Sequence, residues 1–388
     1  MTHFDQTVSR YGTYSTQWDY VQDRFGEKDL LPFSISDMDF QIPTGTQAVL
    51  AQAVQRGLFG YTRWNHHDFK GAISGWFQRR FQTTIPEEWI SFSPSVMYSL
   101  SVMLQLLSKK QGKVVTLMPC YDAFFQVLAQ NEQQLLPVTL KAEDHFAIDF
   151  PELERLFQVE QPNVFLLCSP HNPTGRVFSK KELQQLIQLC NTYQVALISD
   201  EIHMDVLRQG VQHTPLLALQ AEIQVPVVLM SSASKTFNSP GLGCSYIVTS
   251  DAALTERFLA ILKGRDGLSS VPYLGMLALM DCYNEQEAWV NELNHYIDEN
   301  FKIMQAMLKD SAIQTYLPDA TYLAWLDVSQ VNMTMDELQH QLVHQEKVAI
   351  MRGDTYGPQG KNYLRLNLGA PKEKIIDGIE RLLRVIEQ

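Results

Sequence analysis

Between Lys113 and Asp200 short apolar runs alternate with segments of helical period, and few folds accept that pattern. Val114-Val115-Thr116-Leu117-Met118, a run from Leu135 to Thr139, Asn163 to Cys168 and Val195 to Ser199 lack the polar alternation of a half-exposed sheet. They read as strands buried on both faces. Helical segments separate them at Ala123 to Gln130, Pro151 to Gln158 and Ser179 to Tyr193; the last opens with Ser179 and carries Glu182 three residues on, a capping box. Strand, helix and strand in succession imply parallel strands joined by right-handed crossovers. Val225 to Met230 and Cys244 to Thr249 supply two more strands. The expected fold class is α/β, with a mostly parallel central sheet flanked by helices.

In open sheets of this kind ligands bind beyond the carboxyl ends of the strands. Four such ends carry chemistry. Pro119-Cys120-Tyr121 offers a ring that could stack on a flat ligand. Ser169-Pro170-His171-Asn172-Pro173-Thr174-Gly175 is a tight turn that presents an amide. Asp200-Glu201 ends an apolar strand with a carboxylate that needs a partner when buried. Ser231-Ser232-Ala233-Ser234-Lys235-Thr236-Phe237-Asn238 sets a lysine among hydroxyls, where an amine can condense with an aldehyde and hydroxyls can hold a phosphate. A fifth element is Ser93-Pro94-Ser95-Val96-Met97, which opens a helix to about Leu107 whose first N–H groups attract an anion. Each has a structural alternative when read alone: a core-edge tyrosine, a turn, a helix cap, a solvated lysine.

Residues 1–43 form an irregular, aromatic-rich lead-in. A helix is expected from Thr44, as N-cap, to Arg56, and another from Asp68 to Phe81, with His66-His67 in a solvated loop before it. Asp251 to about Asp310 reads as mainly helical. The last part mixes strands (Tyr322 to Val328, Tyr363 to Asn367) with helices (Met335 to Gln345, Lys372 to Glu387), as a smaller α+β domain would. The expected division is a lead-in over 1–45, a large domain over 46–284 and a small one over 285–388.

Composition removes several classes. A formal net charge of −12 argues against sequence-independent nucleic-acid binding, which needs a basic face. No apolar run approaches the length of a membrane span. The opening Met1-Thr2-His3-Phe4-Asp5 has no basic and then apolar signal, and five widely spaced cysteines without a CxxC pair suit reduced thiols. A cytoplasmic location is the expectation. His203 with Asp200 and Asp205 lacks the ligand cluster of a metal site.

Asp200 stands 28 residues after Asn172, and Lys235 a further 35 on. In that order and spacing the chain resembles, over nearly its whole length, the fold-type I enzymes dependent on pyridoxal 5′-phosphate (PLP), the aspartate aminotransferase superfamily. Asp37-Met38-Asp39-Phe40, Phe59-Gly60-Tyr61, Tyr121-Asp122-Ala123-Phe124-Phe125, Asp200-Glu201-Ile202-His203 and Ser234-Lys235-Thr236-Phe237-Asn238 are most similar to its C–S β-lyase, or cystathionine β-lyase, subgroup. The resemblance implies a PLP-dependent transferase-like fold and the following roles. Lys235 would hold PLP and serve as general base at Cα. Asp200 would pair with the pyridinium nitrogen, Asn172 and His203 would lie near the phenolic oxygen, and Tyr121 would stack on the ring. Ser232, Ser234 and the N–H groups of Val96 and Met97 would cradle the phosphate. Tyr61 would reach the neighbouring subunit's site in a homodimer. Arg365, with Asn172 and Met38, would bind the substrate. Gly243 stands eight residues after Lys235, where aminotransferases of the superfamily often carry a phosphate-binding arginine. That departure favours a lyase acting on L-cystathionine or related cysteine S-conjugates. Transamination and a non-catalytic, regulatory PLP-fold protein are the rival readings.

Overall fold

The computed structural model describes residues 2–387. Its centre is a seven-stranded sheet. From one edge the strands run Ile90–Ser93, Ser245–Val248, Val227–Ser231, Ala196–Asp200, Val164–Cys168, Lys113–Met118 and Gln134–Thr139. Six are parallel; Ser245–Val248 runs antiparallel to both of its neighbours. The inner strands are buried along their length, as their unbroken apolar runs require. Each fully buried Val, Leu or Ile side chain contributes about 1.5–3 kcal/mol by leaving water. Register aligns Cys168 with Asp200 and Asp200 with Met230, so three loops leave the sheet at one level.

Helices cover both faces. Trp76 on the helix His67–Phe81 stacks on Tyr283 of the helix Tyr273–Glu285 at 4.8 Å between ring centroids. The capping box at Ser179 and Glu182 forms as the sequence predicts. The carboxyl-terminal region carries an antiparallel three-stranded sheet, Met351–Arg352, Tyr363–Asn367 and Leu323–Asp327, packed with the helices Met335–His344 and Lys372–Ile386. Leu31–Pro32 pairs in parallel with Val348–Ala349, tying the lead-in to this region.

Two local expectations are corrected. The helix Thr44–Arg56 is preceded by Pro43 at the N-cap, and Thr44 is its first residue rather than its cap. Proline fixes its own φ, so the chain enters this helix without a side-chain cap. His66 is not a solvated loop residue: its Nδ1 accepts the N–H of Phe69 at 3.3 Å and caps the helix that begins at His67. Imidazole is an uncommon cap, which is why the cap was not legible from composition.

Candidate active site

The loops that leave the sheet at one level enclose a cavity of about 240 Å3. Tyr121, Asn172, Asp200, His203, Ser232, Ser234, Lys235, Val96 and Met97 all line it, although they come from five separate strand or helix ends. Arg365 does not line it; held in the small antiparallel sheet opposite Trp325 and Met351, it stands behind Asn172, to which it is bonded.

Asp200 is buried at the last position of its strand and accepts one hydrogen bond, from the N–H of Ile202 at 3.2 Å. Burial raises its pKa to about 7; the Ile202 N–H lowers it, Glu201 adds to the rise and Lys235 opposes it. Burial likewise lowers Lys235 to about 8, against the pull of Asp37 and Asp200 and with the help of Arg365. His203 is buried with its Nδ1 unpartnered, and burial takes its pKa down to about 3, so it is neutral.

Asn172 sits in its turn with both prolyl bonds, Ser169–Pro170 and Asn172–Pro173, cis. Its Oδ1 accepts from Arg365 Nη1 at 3.1 Å, which leaves the Nδ2 donor for the cavity it lines. Arg365 Nη2 donates to Ser34 O at 2.8 Å, its guanidinium lies 4.6 Å over the Tyr356 ring, and its Nε is buried without a partner. Ser95 Oγ accepts the N–H of Tyr98 at 3.1 Å and caps the helix Val96–Leu107. The N–H groups of Val96 and Met97 have no partner within the helix and point their positive end at the cavity.

Three expected residues stand differently. Ser232 Oγ donates to Cys244 O at 2.7 Å and accepts the N–H of Ser234 at 3.1 Å, so it shapes the turn before Lys235 instead of offering a free donor. Met38 is wholly buried against Gly369 and does not line the cavity; its backbone, held by Asn238, is what matters there. Tyr61 is fully exposed, on the rim of a separate apolar hollow with Phe59, Leu242 and Tyr273.

Ser36, Tyr322 and Asn238 escaped the sequence reading. Lys235 Nζ donates to Ser36 O at 2.5 Å and Tyr322 OH to the same oxygen at 2.9 Å. Asn238 accepts from Met38 N and donates to Met38 O and Phe40 O at 2.6–2.8 Å. Asn367 Nδ2 donates to Ile35 O and Asp37 O, both at 2.6 Å. The 34–40 loop is thus clamped between the lysine turn and the small sheet. Ser36 acts through a backbone carbonyl, for which no residue type is a signal.

These residues fit PLP. A buried carboxylate short of partners suits a protonated ring nitrogen, an amine of lowered pKa suits an aldehyde, and helix N–H groups with the Ser234 hydroxyl suit a phosphate. Residues 28–382 match the family of class I and II aminotransferases. The chain belongs to that family. Within the aminotransferase class I and II family it is 38% identical to protein MalY of Escherichia coli K12, over 100% of this chain and 99% of that one. It is 35% identical to the cystathionine β-lyase PatB of Bacillus subtilis 168, over 98% of each. The solved structure of cystalysin from Treponema denticola, which contains a pyridoxal 5′-phosphate cofactor, superposes with a TM-score of 0.93 at 29% identity, covering 100% of this chain and 99% of that one. Against this family background Gly243 is the open position: it lines the cavity at φ +61°, and a Cβ placed there would meet no atom within 4 Å.

Proposed function

We propose that this chain is a PLP-dependent C–S β-lyase that cleaves L-cystathionine or a related cysteine S-conjugate to a thiol, pyruvate and ammonia. The observation that carries the reading is the convergence of Lys235, Asp200 and Asn172 on one cavity, with Arg365 bonded to Asn172 behind it. The full-length similarity to PatB, named a cystathionine β-lyase, supports the choice of reaction.

Bound PLP supplies an electron sink for the pair left when Cα loses its proton. Arg365, with its unpartnered Nε and the forked geometry of guanidinium, grips the substrate α-carboxylate and fixes the orientation of Cα. The Lys235 amine takes the Cα proton; with its pKa lowered to about 8, a much larger share of it is the free base at neutral pH than of an ordinary lysine. Asp200 holds its negative charge against the ring nitrogen and keeps that nitrogen protonated. Breaking the Cβ–S bond then releases the thiolate, and one water completes the balance to pyruvate and ammonia. The lead-in over 1–45, the large domain over 46–284 and the small domain over 285–388 belong to this reading, with the cavity lined by the large domain and by Ser36 of the lead-in. So does a homodimer, because exposed Phe59 and Tyr61 lie beside the Gly241–Leu242 turn. So does a cytoplasmic setting for its five buried free thiols; among the described residues no helix is long and apolar enough to cross a membrane.

The test uses purified protein, PLP and L-cystathionine, with coupled detection of pyruvate and thiol. Product without any keto-acid acceptor, absent in Lys235→Ala, is expected. Turnover only after a keto acid is added would assign transamination, and cofactor binding without turnover of any amino acid would assign a regulatory protein. Sedimentation velocity checks the dimer.

A further inference from the structure

A polar hollow of about 520 Å3 lies between the end of the helix His67–Phe81, the 207–214 segment and the helix Glu287–Leu308. Arg80, Arg208, His213 and His295 stand in its wall against one carboxylate, Asp298. Its two guanidinium groups outnumber its one carboxylate, in a chain of formal net charge −12. Asp298 is already engaged: its Oδ1 lies 2.9 Å from Arg208 Nη1 and its Oδ2 accepts the N–H of Gln209 at 3.1 Å.

The wall holds buried polar atoms that lack partners among the described residues. His213 is 5% exposed; its Nε2 lies 2.8 Å from Glu201 Oε2, and its Nδ1 has no partner. Arg208 is 4% exposed; its Nη2 donates to Thr321 O at 2.7 Å, and its Nε has no acceptor. Asn294 donates through Nδ2 to Asp205 O at 2.9 Å, and its Oδ1 is unpartnered. Buried polar groups in folded proteins carry partners, and an adjoining hollow is where these would find one. Arg80 adds a half-buried guanidinium, with Nη1 donating to Asn291 Oδ1 at 2.7 Å and Glu287 3.5 Å away.

We propose that this hollow binds a small anion carrying a carboxylate or phosphate group, held by Arg80 and Arg208. Arg208 offers its unpartnered Nε–H and Arg80 a half-buried guanidinium, both donors that suit the oxygens of either anion. His213, whose Nε2 faces the Glu201 carboxylate, leaves Nδ1 as an acceptor for a hydroxyl or ammonium on the same ligand, and Asn294 Oδ1 is another. The site is separate from the candidate active site but close to it in the chain. Glu201 follows Asp200 directly. Asn294 binds the backbone of Asp205, whose carboxylate accepts from Thr236 at 2.8 Å, the residue after Lys235.

The experiment is calorimetric titration of inorganic phosphate and, separately, of succinate into the PLP-saturated protein and into Arg80→Gln. Arg80 lies near the end of its helix and is partly exposed, so the variant is expected to fold, and its thermal unfolding in the absence of anion checks this. Saturable binding of either probe, weakened at least about tenfold in Arg80→Gln, supports the site. Phosphate alone or succinate alone then names the head group. No saturable heat with either probe up to about 10 mM, or binding of equal strength in Arg80→Gln, overturns it.

Discussion

The ε-amine of Lys235 lies 2.5 Å from the carbonyl oxygen of Ser36, in the 34–40 loop. Tyr322, wholly buried, donates its hydroxyl to the same oxygen at 2.9 Å. The carbonyl therefore has a fixed direction, and the amine proposed as the base has a fixed acceptor beside it. Tyr322→Phe removes that anchor while keeping the ring. A lost neutral hydrogen bond of about 0.5–1.5 kcal/mol predicts a fall in kcat of about 2- to 10-fold with little change in KM. The acid limb of the kcat profile, where the proposed base Lys235 becomes protonated, should shift as well. Steady-state kinetics across pH checks both; an unchanged kcat and profile would show that the loop holds Ser36 without Tyr322.

Asp200 makes the cofactor-free protein sensitive to pH. Burial raises its pKa from the ordinary 3.8 to about 7, so between those values the native state keeps a proton that the unfolded chain has released. Its contribution to stability is present below about 3.8 and is lost as pH rises through about 7. At pH 8 the apoprotein thus carries an ionised, under-partnered carboxylate. Asp200→Asn is expected to raise the apoprotein Tm at pH 8 and to change it little at pH 4. The same variant should gain less Tm from added PLP than the parent, because the ring nitrogen loses its counter-charge. Differential scanning calorimetry at the two pH values reads both effects, and a lower apoprotein Tm at pH 8 would contradict this account.

Arg365 is tied to Asn172 and Ser34 yet keeps Nε free. Arg365→Lys preserves one charge and loses the fork. Charge-assisted bidentate pairing predicts a rise in KM, with kcat/KM down about 10- to 100-fold, and kcat is expected to fall less. Equal losses in kcat and kcat/KM would mean that Arg365 orients Cα in the transition state more than it binds the ground state.

What the sequence revealed follows from the kind of signal each element leaves. Val164–Cys168 and Ala196–Asp200 are buried on both faces, so unbroken apolar runs marked them, and Asp200 stood out as the first charge after such a run. Lys235 and Asn172 were legible because their side chains and spacing carry the chemistry. Ser36 was not, since its oxygen belongs to the backbone, and Tyr322 was not, since only the fold brings it across 286 residues to that oxygen. The bonding of Ser232 was not legible for a related reason. A hydroxyl beside a lysine suggests a ligand, but here Cys244 O and the N–H of Ser234 take it. The reversed direction of Ser245–Val248 likewise leaves no mark in a four-residue buried run.

Two left-handed glycines test how rigidly the site is framed. Gly175, at φ +70°, ends the Asn172 turn: its N–H donates to His171 O at 2.6 Å and its carbonyl accepts the N–H of Ala320 at 2.9 Å. A Cβ there would stand 2.5 Å from Pro318 Cβ and 2.7 Å from Ala320 O, inside van der Waals contact with atoms that cannot swing away. Gly243, at φ +61°, has open space around the same position. Gly243→Ala should therefore cost only the left-handed penalty, about 1–2 kcal/mol. Gly175→Ala adds steric displacement of the 318–320 segment and should cost about 3 kcal/mol or more. Because the turn carries the partner of Arg365, Gly175→Ala should also raise KM at temperatures where the protein is still folded. Urea unfolding and steady-state kinetics on the pair decide it: equal stability losses would mean that the turn yields at Pro318, and the framing of Asn172 by the small sheet would be loose.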